Sequence, residues 1–479
     1  MNRFLAVLKD SYREAMNGWL LQVLLILVAL FLLFIFSLST RPLTYQEELE
    51  DQIGAFNFLF RIEPRFGSPQ MSVENVQVTN PAEPWKSPAD FDLVVTLQGE
   101  KELEAAKKVF IPLDTEGRVL RAPVDRFRTE DFLNALRVFK GVSVEESEPA
   151  EPPPPKKDEG KPDDGNPTGP IKKRFRVHTT GTSYTDAQDW RSELSVLFVV
   201  NTPVHMSPRE MAYYCQNYIV NGIGGWIFCL LGVVITAAFI PNMMGKGALD
   251  LVISKPIGRI PFLVFKYLGG LTFFLILISF TVFGMWLAVG LRTGLWSAHF
   301  LLVIPLLTFQ FAILYAVSTL FGVLARNALV AILATVAAWT LFFVIGKVYD
   351  GIHNREVENA KVSKALEEGK PFGVDEDGKR LSPDQVLERL NPNRPLWSII
   401  PVSTFPVWKG VHIPTPRTFQ LDYWTGRIIA QGVLSDRELK ERGWDETPTA
   451  SLTEVILINT AFIVLMLGLA SWRFVTRDG

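Results

Sequence analysis

The chain reads as an all-α polytopic membrane protein of six transmembrane helices. It carries an inserted α+β extracytoplasmic domain and a second, helix- and loop-rich extracytoplasmic insertion. Three observations predict this. Six segments stay apolar over about 20 residues, the length a helix needs to cross a bilayer. The 479 residues are 48% hydrophobic and only 20% charged, with a mean hydropathy of +0.19, a balance foreign to soluble chains of this size. Two long polar stretches separate the first span from the second and the fifth from the sixth.

Residues 1–18 place Phe4, Val7, Leu8, Tyr12 and Met16 on one helical face, with Arg3, Lys9 and Arg13 mostly elsewhere. That pattern predicts an interfacial helix on the inner leaflet. The first span, 19–39, holds Gln22 as its single clearly polar interior residue. A cleaved leader ending at Ser37-Leu38-Ser39 is the other reading of this stretch, but the apolar run exceeds a usual leader core. The later spans are 219–241, 267–290, 300–324, 328–347 and 452–472, none with a charge near its middle. In the last, Asn459 and Thr460 suit hydrogen bonding between helices.

Orientation follows from the basic residues beside the spans. Arg3, Lys9, Arg13, Lys246, Lys255, Arg259, Lys266, Arg326, Arg473 and Arg477 fall on one side, and the opposite short loop holds only Arg292. The basic side is expected to be cytoplasmic, which puts both termini, including the tail 473–479, inside. The protein is then expected in the plasma (inner) membrane, with the insertions 40–218 and 348–451 outside.

The first insertion carries strand signals. FDLVVTLQ (91–98) and RFRVHT (174–179) alternate, and SVLFVV (195–200) reads as one buried strand. TEDFLNALRVFKG (129–141) has helix punctuation at both ends. Residues 148–170 hold eight prolines and many charges, so they are expected to be a disordered loop. Ser207-Pro208-Arg209-Glu210 is a capping signature. It begins a helix that either runs unbroken to Pro241 or breaks at Gly222, Gly224 and Gly225. The second insertion opens with a polar helical stretch, 355–370. It then turns Pro- and aromatic-rich over 391–416, suiting an interfacial or re-entrant segment.

Several functions are disfavoured. A net charge of −2 attracts no nucleic acid. Cys215 and Cys229, about 21 Å apart on one helix, cannot bridge. Five scattered histidines offer no metal spacing. GVDEDGKR (373–380) resembles a phosphate loop but ends in Arg380 where Ser or Thr would hold magnesium, and no apolar strand precedes it. No ionisable group stands mid-span to couple ions, and no nucleophile–base constellation is present, so no residue is expected to be catalytic.

The cytoplasmic connection 242–266 between spans two and three is the informative stretch. Gly245 and Gly247 allow a sharp exit after Pro241, and Asp250 and Lys255 match the dipole of a short helix. Ala248, Leu251 and Val252 form an apolar stripe that Pro256 ends. Such a segment either rests on anionic lipid or inserts into a groove on a cytoplasmic partner. It resembles the corresponding connection of ABC-2-type transporter permeases. There a glycine, a small residue, Leu and an acid lead through apolar residues to Pro-x-x-Arg and a later Lys. Here these are Gly247, Ala248, Leu249, Asp250, Leu251 to Ile253, Pro256, Arg259 and Lys266. The glutamate that many members carry ahead of the glycine is missing from FIPNMMGK.

The resemblance implies a permease subunit, with export as the expected direction, that dimerises as a homodimer or pseudo-symmetric heterodimer and pairs with a separate ABC-type ATPase. ATP and Mg would be bound by that ATPase, with no cofactor in this chain. Residues 247–259, with Lys255 among them, would be the coupling region. Two other expectations stay open: an ATP-driven mechanotransmitter acting on extracytoplasmic proteins without moving a substrate, and a membrane-anchored receptor or scaffold.

Overall fold

The computed structural model describes residues 19–62, 70–97, 139–147, 171–184, 186–197, 199–244, 258–367, 402–444 and 450–476. The interfacial helix 1–18, the loop 148–170 and most of the connection 242–266 lie outside them.

Helix α1 (Trp19–Phe36) comes first, then β1 (Ser39–Pro42), α2 (Tyr45–Ile62), β2 (Gln70–Val78) and β3 (Ala89–Leu97). Six short strands follow: β4 (Phe139–Lys140), β5 (Ser143–Ser147), β6 (Ile171–Thr179), β7 (Gly181–Thr182), β8 (Ser192–Val196) and β9 (Val200–Met206). The remaining helices are α3 (Pro208–Asn242), α4 (Arg259–Thr293), α5 (Ala298–Ala325, opening with a 3-10 turn), α6 (Ala328–Glu367), α7 (Phe405–His412), α8 (Thr418–Val433), α9 (Asp436–Glu441) and α10 (Leu452–Thr476). The chain divides into two compact units, Ser37–Met211 and the remainder.

The unit Ser37–Met211 is α+β. Its largest sheet is antiparallel in the order β2-β3-β6-β5, beside a three-stranded sheet β1-β8-β9 and the pair β4-β7. The predicted alternation places Phe91, Leu93 and Val95 in the core, where Phe91 sits opposite Val177 and Leu93 opposite Phe175. Helix α2 closes that face with Tyr45, Leu49 and Ile53, spaced four apart as one helical stripe requires. Trp190, 1% exposed, donates from Nε1 to the Leu43 carbonyl at 2.8 Å.

Two local expectations change. Residues 195–200 do not form one buried strand. Strand β8 ends at Val196, Leu197 takes a positive φ of 53°, and β9 returns from Val200. An apolar run is not by itself a buried strand, and Val199 is 82% exposed at this turn. Of the helix expected over 129–141, residues 129–138 lie outside the described set, while Phe139 and Lys140 pair as a strand with Thr182 and Gly181. The predicted capping box is present: Glu210 N–H donates to Ser207 Oγ, and Ser207 N–H donates to Glu210 Oε2, both at 3.1 Å.

The other unit is a helical bundle. Five of its helices, α3 (Pro208–Asn242), α4, α5, α6 (as Ala328–Val357) and α10, are long and apolar enough to cross a membrane, and α1 adds a shorter apolar helix, Gln22–Phe36. The chain is a polytopic membrane protein. Helix α5 lies at the centre, with every residue from Gln310 to Thr319 buried, as expected of a helix apolar all round. Phe274 of α4 stacks on Phe311 with centroids 4.1 Å apart, and Tyr267 stacks on Tyr315 at 5.1 Å. Leu24 and Val28 of α1 pack with Leu277 of α4. The outward residues are leucines and valines such as Leu333 and Val464, about three-fifths exposed. Lipid tails tolerate that face and water does not.

Helix α3 passes Gly222, Gly224 and Gly225 without ending, as a wider π-helical turn over Tyr214–Gly222. Helix α6 continues 20 residues beyond the span boundary expected at 347. Hydropathy falls at Lys347, but no proline or cap stops the hydrogen-bond ladder there.

Candidate functional site

Where α3 ends and α4 begins, both flanks of the connection meet one apolar cluster. Ile240 lies near the end of α3, and Phe262 and Leu263 lie near the start of α4. All three pack with Val323 of α5 and with Ala470 and Phe474 of α10. A Cβ on Gly322 would lie 3.5 Å from Pro241 Cδ, so α3 and α5 approach closely there. Gly258, extended at φ −62° and ψ 151°, leads into α4, and Phe262 N–H donates to its carbonyl at 3.2 Å. The two flanks of the connection thus share one cluster built by four helices.

Of the residues expected to couple to a partner, Gly247, Ala248, Leu249, Asp250, Leu251, Val252, Lys255 and Pro256 lie outside the described residues. Arg259 is half-buried in the first turn of α4, and Lys266, two turns on, is 4% exposed. Arg326 closes α5 in a left-handed conformation at φ 52°, and Arg473 lies in the last turn of α10. These four bases share the bundle end that holds the Ile240–Phe474 cluster. At the opposite end, Arg292 donates from Nε to the Phe36 carbonyl at 2.6 Å and covers the Phe36 ring at 4.7 Å.

A polar seam between α3 and α8 has no counterpart in the expectations. Tyr213 Oη accepts from Asn217 Nδ2 at 3.0 Å and from Trp444 Nε1 at 3.1 Å. Asn221 Nδ2 donates to Asn217 Oδ1 and to the Asp422 carbonyl, both at 3.3 Å. A Cβ on Gly426 would stand 3.0 Å from Asn217 Oδ1, so a glycine is what lets α8 approach. The sequence signal is the four-residue spacing of Tyr213, Asn217 and Asn221 at the head of an apolar run. The predicted pair in the last span divides: Asn459 Oδ1 accepts from Arg417 N–H at 2.7 Å, whereas Thr460 bonds within its own helix. Among the described residues no group of three or more His, Cys, Asp or Glu side chains is arranged to hold a metal ion.

Residues 5–479 match the family described as ABC-2 family transporter protein. No curated protein and no solved structure matches the chain.

Proposed function

Since the chain belongs to the ABC-2 family of transporter proteins, we propose that it is the membrane-embedded permease of an exporter powered by a separate ABC-type ATPase, docked on the connection between α3 and α4. The family match over 5–479 carries this reading. The anchoring of both flanks in the Ile240–Phe474 cluster supports it mechanically. A push on residues 247–256 reaches α3, α4, α5 and α10 together, because a close-packed cluster transmits displacement rather than absorbing it.

The bases gathered at that end support a cytoplasmic connection, an inner-membrane location and cytoplasmic termini. Six crossings follow if α1, 18 residues long, spans with the five longer helices. The ATPase would supply nucleotide and magnesium, and two permeases would form the transport path, as a homodimer or a pseudo-symmetric heterodimer. The chain itself supplies no catalytic group.

Co-purification with a co-expressed ABC-type ATPase tests the docking. Leu251→Asp puts a charge on the apolar stripe, and the expected result is at least tenfold less ATPase recovered at equal permease yield. Undiminished recovery sinks the docking claim.

A further inference from the structure

Helix α8 begins inside the bundle. Leu421, in its first turn, is fully buried with Ile313 of α5 and Val455 of α10. A Cβ on Gly346 of α6 would stand 2.8 Å from Phe419. Asn459, which takes the Arg417 N–H, lies seven residues into α10, about 10 Å along it. The amino end of α8 therefore opens among spans, and no side chain caps it.

Buried polar groups without partners collect at that end. Arg417 is 8% exposed, Thr418 3%, His412 2% and Asn459 0%. Arg417 Nε, Thr418 Oγ1, His412 Nδ1 and Asn459 Nδ2 are all enclosed and find no hydrogen-bond partner among the described residues. Arg417 makes no ion pair among the described residues. Its guanidinium stands 6.0 Å from the Tyr349 ring, and Asp350 and Glu454 act on it only through space. Gln420 Nε2 lies 3.4 Å from His412 Nε2 and from Asp350 Oδ1. As donor to the histidine it leaves the ring proton on Nδ1, so the unpartnered nitrogen is itself a donor.

A buried donor left unpaired is costly, and a buried charge without a hydrogen-bonded counter-charge more so. These four donors lie at one uncapped helix start, beside an equally enclosed acceptor without a partner among the described residues, Gln420 Oε1. An oxyanion accepts from guanidinium, amide, hydroxyl and imidazole together and meets the positive end of the helix dipole. We propose that the amino end of α8 binds a phosphate-type oxyanion, with Arg417 as its charge partner and His412, Thr418 and Asn459 as neutral donors. Ile413, next to His412, and Val407 on α7 are exposed apolar residues, a surface on which the tail of a phosphate-headed amphiphile can lie.

The test uses the full-length protein in maltoside micelles, without nucleotide or ATPase, so its outcome is independent of the coupling reading. Short-chain phosphatidylglycerol, short-chain phosphatidylcholine and inorganic phosphate are titrated separately, reading the melting midpoint. The expected result is a midpoint raised by phosphatidylglycerol more than by phosphatidylcholine, with apparent affinity at least tenfold weaker in Arg417→Gln and partly kept in Arg417→Lys. Protection by inorganic phosphate that Arg417→Gln also loses supports the site with a free anion as its source. Equal titrations of wild type and Arg417→Gln with every probe overturn it. Should Arg417→Gln not assemble, Thr418→Val is titrated instead. It keeps the charge and removes one donor, and an unchanged affinity there overturns the proposal equally.

Discussion

Glu48 shows what a single residue contributes to the α+β unit. It belongs to α2 and is 1% exposed. Burial pushes its pKa up to about 7, while nearby Arg191 and hydrogen bonds from Gln52 and Tyr184 pull it back. An ordinary glutamate titrates near about 4.3. Between those values the folded state holds a proton that the unfolded state has lost, so stability falls as pH rises through this window. Glu48→Gln is expected to stabilise the unit at pH 8 by on the order of 2 kcal/mol and to flatten its pH dependence. Hydrogen exchange of the β3 and β6 amides in the full-length protein, corrected for intrinsic rates, reads both effects. A wild-type profile with no slope between pH 5 and 8 removes the role given to this carboxyl.

Single elements pack by small residues and rings. Gly270 of α4 lets Tyr315 of α5 lie against its backbone: an added Cβ would stand 2.6 Å from the Tyr315 hydroxyl oxygen. Gly270→Ala must push the two helices apart or turn the ring out of its stack with Tyr267, at a cost of about 2 kcal/mol. Gly468 of α10 has nothing within 4 Å of its Cβ position, so Gly468→Ala is expected to be neutral or to stabilise by about 0.5–1 kcal/mol. Melting midpoints of the two variants in the same detergent check the contrast, and equal shifts refute the packing account. Element boundaries were the least legible feature of the sequence. Hydropathy marks where lipid contact ends, whereas α6 runs on because its backbone ladder is indifferent to side-chain polarity. The turn at Leu197 hid in an apolar run for the same reason: composition does not report the sign of φ.

At the scale of the whole molecule, the bases at one bundle end and the single arginine, Arg292, of the short loop 291–299 predict the sidedness of the membrane. Cys215 and Cys229 are both buried and unbridged, so an introduced thiol is the reactive one. Lys255→Cys is expected to react with an impermeant maleimide only in inside-out vesicles. Reaction in intact cells would place the connection outside and remove the ATPase from the proposal. The stretch proposed to couple stands out by its glycine, proline and charge spacing, and Arg259 is the residue of it that the described structure includes. The seam between α3 and α8 was not legible, because it joins Asn221 to Asp422, 201 residues apart, and no local pattern encodes such a pairing.

The amino-acid sequence alone determined that this protein lives in a membrane, which segments are apolar enough to cross one, where basic residues gather beside them and which family the chain resembles. Those properties are sums of local transfer free energies and of charges counted along the chain. Tertiary structure alone decided that α8 starts among the spans, that Arg417 is enclosed there without an ion-pair partner among the described residues, and that the flanks of the connection share one cluster. Burial and pairing depend on which distant segments meet, and that is settled by packing rather than by any stretch of neighbouring residues.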